Sequence, residues 1–322
     1  MPIRRPVLLF LAALWMLSPA FAQDYPVRPI KLLVPYAPGG AADVVARTTA
    51  LPMGEIVGQQ FVVENRAGAG GITGMEALAK SPADGYTIGI ADAGQWAVNA
   101  VLYPKIPYDA LRDYAPIGIV ATLSLFLVVH ESVPANTLQE LVTLVKGKPG
   151  FYNYGSSGTG TVHHLTMETF KSALGLDIIH VPYKGTGQSV PALLGGQVAM
   201  TISALPSIAT YVKSGKVKVL GANTKNRSPF APEIPAIAEL GLPDFDFPGE
   251  LGLLAPAGTP RQHIEKLAAA LAQGVKRPEA MQRLTTLGME PVGSGPQQLA
   301  ERMRADIQRY GRAVKISGAK VE

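Results

Sequence analysis

The sequence predicts an α/β fold in two domains of similar plan, with mainly parallel sheets. Three observations carry this. Apolar strands alternate with amphipathic helices almost throughout the chain. The stretch "VPYAPGG" at residues 34–40 is echoed by "VPYKGTG" at 181–187, each reading as a strand end, a glycine turn and a helix start. The 322 residues, 47% hydrophobic and 16% charged, suffice for one to three globular domains with a large core.

Taken in order, the N-terminus comes first. It reads "MPIRRPVLLFLAALWMLSPAFAQ". Arg4 and Arg5 form a basic region, residues 7–17 an apolar one, and Ala20-Phe21-Ala22 a small-x-small cleavage site. Residues 1–22 are therefore expected to be an export signal of the ordinary secretory type. An uncleaved anchor would need a longer apolar run. Losing the signal lowers the formal net charge from +5 to +3, and no Lys/Arg cluster is interleaved with aromatics, so nucleic acid is not an expected partner. With no cysteine, disulfides, a thiol nucleophile, a Cys zinc site and a Cys-linked lipid anchor are excluded. The expected location is the periplasm.

A first series of elements follows. Residues 30–34 form a strand and 41–53 a helix, with Val44, Val45 and Thr48 near one face. Residues 61–64 and 85–92 are strands, separated by "RAGAGG" and a helix at 72–80. Residues 102–118 form a Pro- and Tyr-rich connection, and the apolar run 115–129, broken by Pro116 and Gly118, reads as two buried strands. A second series begins with a strand at 123–130 and a helix at 138–146, for which Thr137 is a good N-cap. "NYGSSGTG" at 153–160 leads into a helix at 161–174; strands at 178–181, 198–203 and 217–222 enclose helices at 189–194 and 208–214. Residues 223–248 carry five prolines and form an irregular connector with one short helix near Ile237. After a strand at 251–256, Ile264, Leu267, Leu271 and Val275, then Leu299, Met303, Ile307, Tyr310 and Val314, recur at helical spacing. The two series are expected to be joined by two strands near 123–129 and 251–256. That gives one lobe at 23–124 plus 252–322 and another at 125–251.

Ligands of parallel α/β sheets bind beyond the carboxyl ends of the strands. There the first turn of the next helix has unpaired N–H groups and partial positive charge, and glycine lets a ligand approach. Pro38-Gly39-Gly40, Ser156-Ser157-Gly158-Thr159 and Gly185-Thr186-Gly187 all have this form. Three anion cradles without a phosphate motif point to carboxylates. "GAGGITG" places Thr73 at the last glycine of G-x-G-x-x-G, and "GSSGTG" places Thr159 at the second glycine of G-x-S-x-G. His163 and His164 are adjacent, so they diverge by about 100° on a helix and are expected to cap or pack rather than chelate. Asp43, in the first turn of the first helix, is expected to cap it or to favour its dipole rather than to contact a ligand. Lys184 either pairs with a ligand carboxylate or is solvated. Trp96 either stacks on a ligand ring or covers the core. No catalytic triad or acid–base pair is evident.

The segment "YPVRPIKLLVPYAPGGAADVVAR" at 25–47 resembles the opening signature of the Bug receptors, the extracytoplasmic solute-binding proteins of tripartite tricarboxylate transporters. The resemblance continues through "VVENRAGAGG", "LYPKIPYDALRDYAPIG", "NYGSSGTGTVHHL", "HVPYKGTGQSVPALLGGQV" and "GLLAPAGTP", nearly the whole mature chain. It implies a two-lobed periplasmic binding fold of type II, with two crossing strands as hinge, closing on a small organic acid held largely by main-chain amides. Carried onto this chain, one lobe gives Tyr36, Ala37, Pro38, Gly39 and Gly40, with Asp92, Gly94 and Gln95. The other gives Ser156, Ser157, Gly158 and Thr159, with Tyr183, Lys184, Gly185, Thr186 and Gly187. Ser203 stands at a further pocket position. The implied role is capture of a carboxylate by a monomer, without cofactor, metal or catalysis, for delivery to the membrane subunits of a tripartite transporter. A ligand-sensing module for a receptor kinase, or a hydrolase or lyase, are the alternatives.

Overall fold

The computed structural model describes residues 25–183 and 185–320, so the expected signal at 1–22 and Lys184 lie outside the described residues. Among the described residues, no helix is long and apolar enough to cross a membrane.

In the first lobe β1 (Ile30–Val34) lies between β2 (Phe61–Asn65) and β3 (Thr87–Ala91), parallel to both. Its apolar run "IKLLV" is buried on both faces. Ile30, Leu32 and Val34 pack with α1 (Ala41–Val57) and α8 (Arg261–Gly274), whereas Leu33 packs with α2 (Ile72–Ala79). A strand covered by helices on both sides needs such a continuous run. The first helix passes the expected end at 53, because Pro52 removes only one N–H; left-handed Gly58 stops it instead.

The six-stranded sheet has the order β11–β4–β10–β3–β1–β2, with β4 at Tyr114–Leu123, β10 at Gly249–Pro256 and β11 at Met289–Pro291. The second lobe holds a five-stranded sheet, β7–β6–β8–β5–β9, built from β5 (Leu125–His130), β6 (Asn153–Ser156), β7 (Ile179–Pro182), β8 (Met200–Ala204) and β9 (Val217–Ala222). Its helices are α4 (Leu138–Lys146), α5 (Val162–Leu174), α6 (Thr186–Leu194) and α7 (Leu205–Lys213). The protein is a two-lobed α/β binding fold.

Both sheets repeat one order: second strand, first, third, a visiting strand, fourth. By that order β6 matches β1 and β7 matches β2. The sequence echo of 34–40 at 181–187 therefore follows non-equivalent strands, and the structural counterpart of 34–40 is the loop after β6. The expectation of mainly parallel sheets is also corrected. The visiting strand of each sheet, β10 or β5, is antiparallel to both its neighbours, because it enters from the other lobe. Two more elements differ from expectation. Helices α6 and α7 start three residues early, the latter with Pro206 in its first turn. The return crossing precedes Gly249, since Gly249 already pairs with Leu123.

Asn223 ties the two crossings together. It is wholly buried. Its Oδ1 accepts from Leu125 N–H at 2.9 Å and its Nδ2 donates to the Phe247 carbonyl at 2.5 Å. Its backbone also donates to the Leu125 carbonyl and accepts from Phe247 N–H. Behind this clamp, Phe170 of α5, Phe245, Phe247 and Tyr310 of α10 (Pro296–Ser317) form an edge-to-face series linking the lobes.

Beside it lies a buried charge cluster. Arg302 Nη1 reaches Asp246 Oδ2 at 2.7 Å, and Arg302 Nε lies 2.6 Å from Glu250 Oε2 and 3.2 Å from Asp306 Oδ1. Arg309 Nη1 lies 3.2 Å from Asp246 Oδ2 and 3.4 Å from Asp306 Oδ1. Three acids thus share two guanidinium groups. Burial, opposed by Arg302 and reinforced by Asp306 and Asp246, pushes the Glu250 carboxyl up to about 7.

Two predictions follow from these contacts. Asn223→Ala leaves Leu125 N–H and the Phe247 carbonyl unpaired, and should cost about 2–4 kcal/mol in urea unfolding; a loss below about 0.5 kcal/mol would mean that water replaces the clamp. Glu250 is protonated in the fold and ionised in the unfolded chain between pH 4.5 and about 7. Its favourable contribution is full below 4.5 and is lost as pH rises through about 7. Glu250→Gln should accordingly raise the melting temperature at pH 8 and leave it nearly unchanged at pH 4.5; an equal effect at both would contradict the raised pKa.

Candidate functional site

The topology brings the loops of both lobes to one seam. The chain leaves β4 at the seam, and β1 and β3 run the same way as β4. It enters β5 from the seam, and β6, β7 and β8 run opposite to β5. Every strand that precedes a candidate loop therefore points its carboxyl end at the seam. A groove of about 690 Å³, lined by Leu51, Gly54, Glu55 and Phe61, lies between α1 and the amino end of β2, at the far end of that sheet.

In the first lobe one hydrogen-bonded triangle holds two loops together. Tyr36 Oη donates to Asp92 Oδ2 at 2.6 Å, and Gln95 Nε2 donates to Tyr36 Oη at 2.7 Å. Asp92 Oδ1 accepts from Gly94 N–H at 2.7 Å, and Asp92 N–H donates to Gln95 Oε1 at 3.0 Å. Burial raises the Asp92 pKa against these two bonds from Tyr36 and Gly94. Both carboxylate oxygens are thus taken by the protein. Gln95 also donates to the Gly70 carbonyl, and a Cβ on Gly71 (φ +90°) would lie 2.8 Å from the Gln95 amide nitrogen.

The helix start beyond β1 is open. Gly40 is the N-cap of α1, with no side-chain cap bond, and the first helical bond is Val44 N–H to the Gly40 carbonyl. Ala41, Ala42 and Asp43 N–H therefore have no intrahelical acceptor. Gly39 N–H differs: it donates to Asp43 Oδ2 at 2.9 Å. Burial opposes charge on Asp43, but bonds from Arg47, Gly39 and Asn65 outweigh it and hold the carboxyl at about 2. Asp43 thus braces the turn ahead of the N-cap instead of capping a first-turn N–H, and its place in the first turn suits the helix dipole.

In the second lobe the loop after β6 is filled by its own chain. Gly158 N–H donates to Ser156 Oγ at 3.1 Å, Gly160 N–H to His164 Nδ1 at 3.0 Å, and His164 N–H to the capping Thr161 Oγ1 at 3.4 Å. Tyr183 N–H donates to the Ser156 carbonyl. A Cβ on Gly160 (φ +79°) would lie 2.6 Å from Leu102 Cδ2, so here the second lobe touches the first. The start of α6 repeats the open form seen at α1: Gly185 is its N-cap without a side-chain bond, and Thr186 and Gly187 precede the first bonded N–H.

The expected residues fall into two groups. Ala37, Pro38, Gly39, Gly40, Thr159 and Gly187 are exposed, and Tyr36, Asp92, Gly94, Ser157, Gly158, Tyr183, Gly185 and Thr186 are partly so. Gln95, Ser156 and Ser203 are buried. Ser203 pairs with Phe126 in the β8–β5 ladder, and its hydroxyl has no partner. Trp96 is wholly buried, and its Nε1 donates to Asp306 Oδ2 at 2.9 Å, so it covers the core and ties the Asp92 loop to α10. His163 meets Ser157 Oγ through Nδ1 at 2.8 Å, and His180 meets Ser156 Oγ through Nε2 at 2.7 Å. Among the described residues, no group of three or more His, Cys, Asp or Glu could hold a metal. Sequence reasoning missed Asn65, which donates to the Tyr36 carbonyl and Asp43 Oδ1, and His180. An asparagine at a strand end was the available signal for the first; nothing local marks the second.

The family described as "Tripartite tricarboxylate transporter family receptor" matches residues 45–318. Protein BugT of Bordetella pertussis is 35% identical over 98% of this chain and 97% of its own. Among solved structures, Rpa4515 of R. palustris with adipate is 33% identical, with TM-score 0.77, covering 92% of this chain and all of that one. MatC from Rhodopseudomonas palustris with bound malate is 30% identical, with TM-score 0.72, covering 90% of this chain and all of that one. The chain belongs to the tripartite tricarboxylate transporter receptor family.

Proposed function

We propose that this receptor captures a small organic carboxylate in the seam between its lobes, in the periplasm, and delivers it to the membrane subunits of a tripartite transporter. The observation that carries this reading is the pair of open helix starts, α1 and α6, one from each lobe, at strand ends that face the same seam. Each offers N–H donors and the positive end of a helix dipole, a good fit to an anion. The adipate and malate seen in two relatives belong to the same ligand class. Residues 36–40, 94, 157–159 and 183–187 are taken as the wall of the site. Asp92, Gln95 and Ser156 act behind it by holding Tyr36 and the loop after β6. The lobe limits are taken as 25–124 with 248–320, and 125–247. A monomer that binds without chemical turnover suits this role.

Thermal-shift screening of organic acids tests the reading. Malate, adipate or a related acid at 100 times its dissociation constant should add about 2.7 kcal/mol of stability, and the matching diamide should add nothing. Equal stabilisation by acid and diamide would refute anion capture. A second test removes one donor alone. Ala41 is the first helical residue of α1 and follows Gly40 at φ −72°, ψ 166°, which suits a position before proline. Ala41→Pro should keep the melting temperature and weaken the acid by about tenfold, the loss of one charge-assisted hydrogen bond. Unchanged affinity in the folded variant would remove α1 from the site.

A further inference from the structure

Three histidines stand behind residues 156–160, and each holds a different part of that loop. His180 Nε2 meets Ser156 Oγ, His163 Nδ1 meets Ser157 Oγ, and His164 Nδ1 accepts from Gly160 N–H. The His164 and His180 rings are stacked, with centroids 4.1 Å apart and planes 17° apart, and Tyr154 stacks on His180 at 4.8 Å.

These contacts fix one tautomer and argue for a second. His164 Nδ1 accepts a backbone N–H, so it carries no proton. Ser156 is wholly buried, and its oxygen already accepts from Gly158 N–H. Its hydroxyl proton needs an acceptor, and His180 Nε2, at 2.7 Å, supplies one. Both rings therefore work as neutral acceptors. Protonating His164 would set a donor against Gly160 N–H, and protonating His180 would set one against the Ser156 hydroxyl. Charging both would stack two cations at 4.1 Å.

We propose that His164 and His180 are positioning residues of the ligand site: as neutral acceptors they fix Gly158 and Gly160, and so the second lobe's wall, and protonation of either ring releases that wall. The proposal rests on reading the seam as the carboxylate site. The charged groups facing the stack are Glu168 and Lys171, one and two turns along α5, paired with each other at 2.7 Å. Tyr154 of β6 donates to Glu168 at 2.6 Å. Burial of the rings favours the neutral form and outweighs the Glu168 carboxylate, which favours the charged form, while Lys171 adds a smaller push toward neutral. Burial, reinforced by His164, brings His180 down to about 4, and burial lowers His164. Since these folded values lie below the ordinary 6.5, the loop is intact above that pH and is lost as pH falls toward about 4.

Two measurements decide it. The first needs no ligand: imidazole 15N shifts of the free protein at pH 7 should show His164 Nδ1 and His180 Nε2 unprotonated. The Gly158 and Gly160 amide signals should move on acidification with the same midpoint as these rings. A proton on His180 Nε2 at pH 7, or glycine signals indifferent to the titration, would overturn the proposal. The second uses malate and adipate as probes. His180→Gln keeps an acceptor near the Nε2 position and should stay within about threefold of wild type, whereas His180→Phe should lose about tenfold or more. Equal losses would leave His180 a packing residue and overturn its assigned role. If no acid of the thermal-shift screen binds the wild type, the carboxylate reading fails, while the 15N measurement still decides whether these rings hold the loop.

Discussion

One buried amide sets the geometry on which the rest depends. Asn223 binds the outgoing chain at Leu125 and the returning chain at Phe247, so both crossings leave the seam from one point. Each crossing becomes an antiparallel visitor in the other lobe's sheet. That in turn points the carboxyl ends of β1, β3, β6, β7 and β8 at the seam. A clamp of this kind holds both crossings at one point, the arrangement that hinge closure on a ligand requires. The aromatic series from Phe170 to Tyr310 keeps the back of the pivot packed. Trp96 connects the first lobe's Asp92 loop to Asp306 in the charge cluster behind that pivot.

The seam is asymmetric in how its donors are used. At α1 and α6 the helix starts lack side-chain caps. At α5 the start is capped by Thr161, and the neighbouring glycine amides are spent on Ser156 and His164. The three cradles read from the sequence thus have two roles. Two present amides toward the seam, and the third is a loop braced by its own chain, with Ser157 held by His163. Asp92 has a comparable bracing role, since both its oxygens are engaged within the protein. Its carboxylate is spent first on Tyr36 and Gly94, and buried Trp96 offers no stacking face.

Much of this was legible in the sequence. Continuous apolar runs gave the strands, Thr137 marked the start of α4, and glycine turns marked the loops. Both open helix starts fell inside the "VPY" echo. The echo misled on equivalence, because a similar turn can follow either of two parallel strands. The run 115–129 reads as two buried strands, as found, but the start of β4 also reads as connection because of Pro116, which pairs with Leu254 beside a register shift that accommodates its missing N–H. The starts of α6 and α7 were obscured by Gly187 and Pro206, poor residues inside a helix and acceptable ones in its first turn. Contacts across long separations left no local trace: Asn223 looked like connector, and the indole of Trp96 meets an aspartate 210 residues away.

The central claim is that a bound carboxylate is shared by the open helix starts of both lobes. Amide chemical shifts of 15N-labelled protein, followed to saturation with malate or adipate, test this most directly. The account predicts large downfield proton shifts at the first-turn amides of both helices, Ala41 and Ala42 in one lobe and Thr186 and Gly187 in the other. The internally bonded Gly158 and Gly160 should move little. Shifts confined to one lobe, or largest at Gly158 and Gly160, would contradict it.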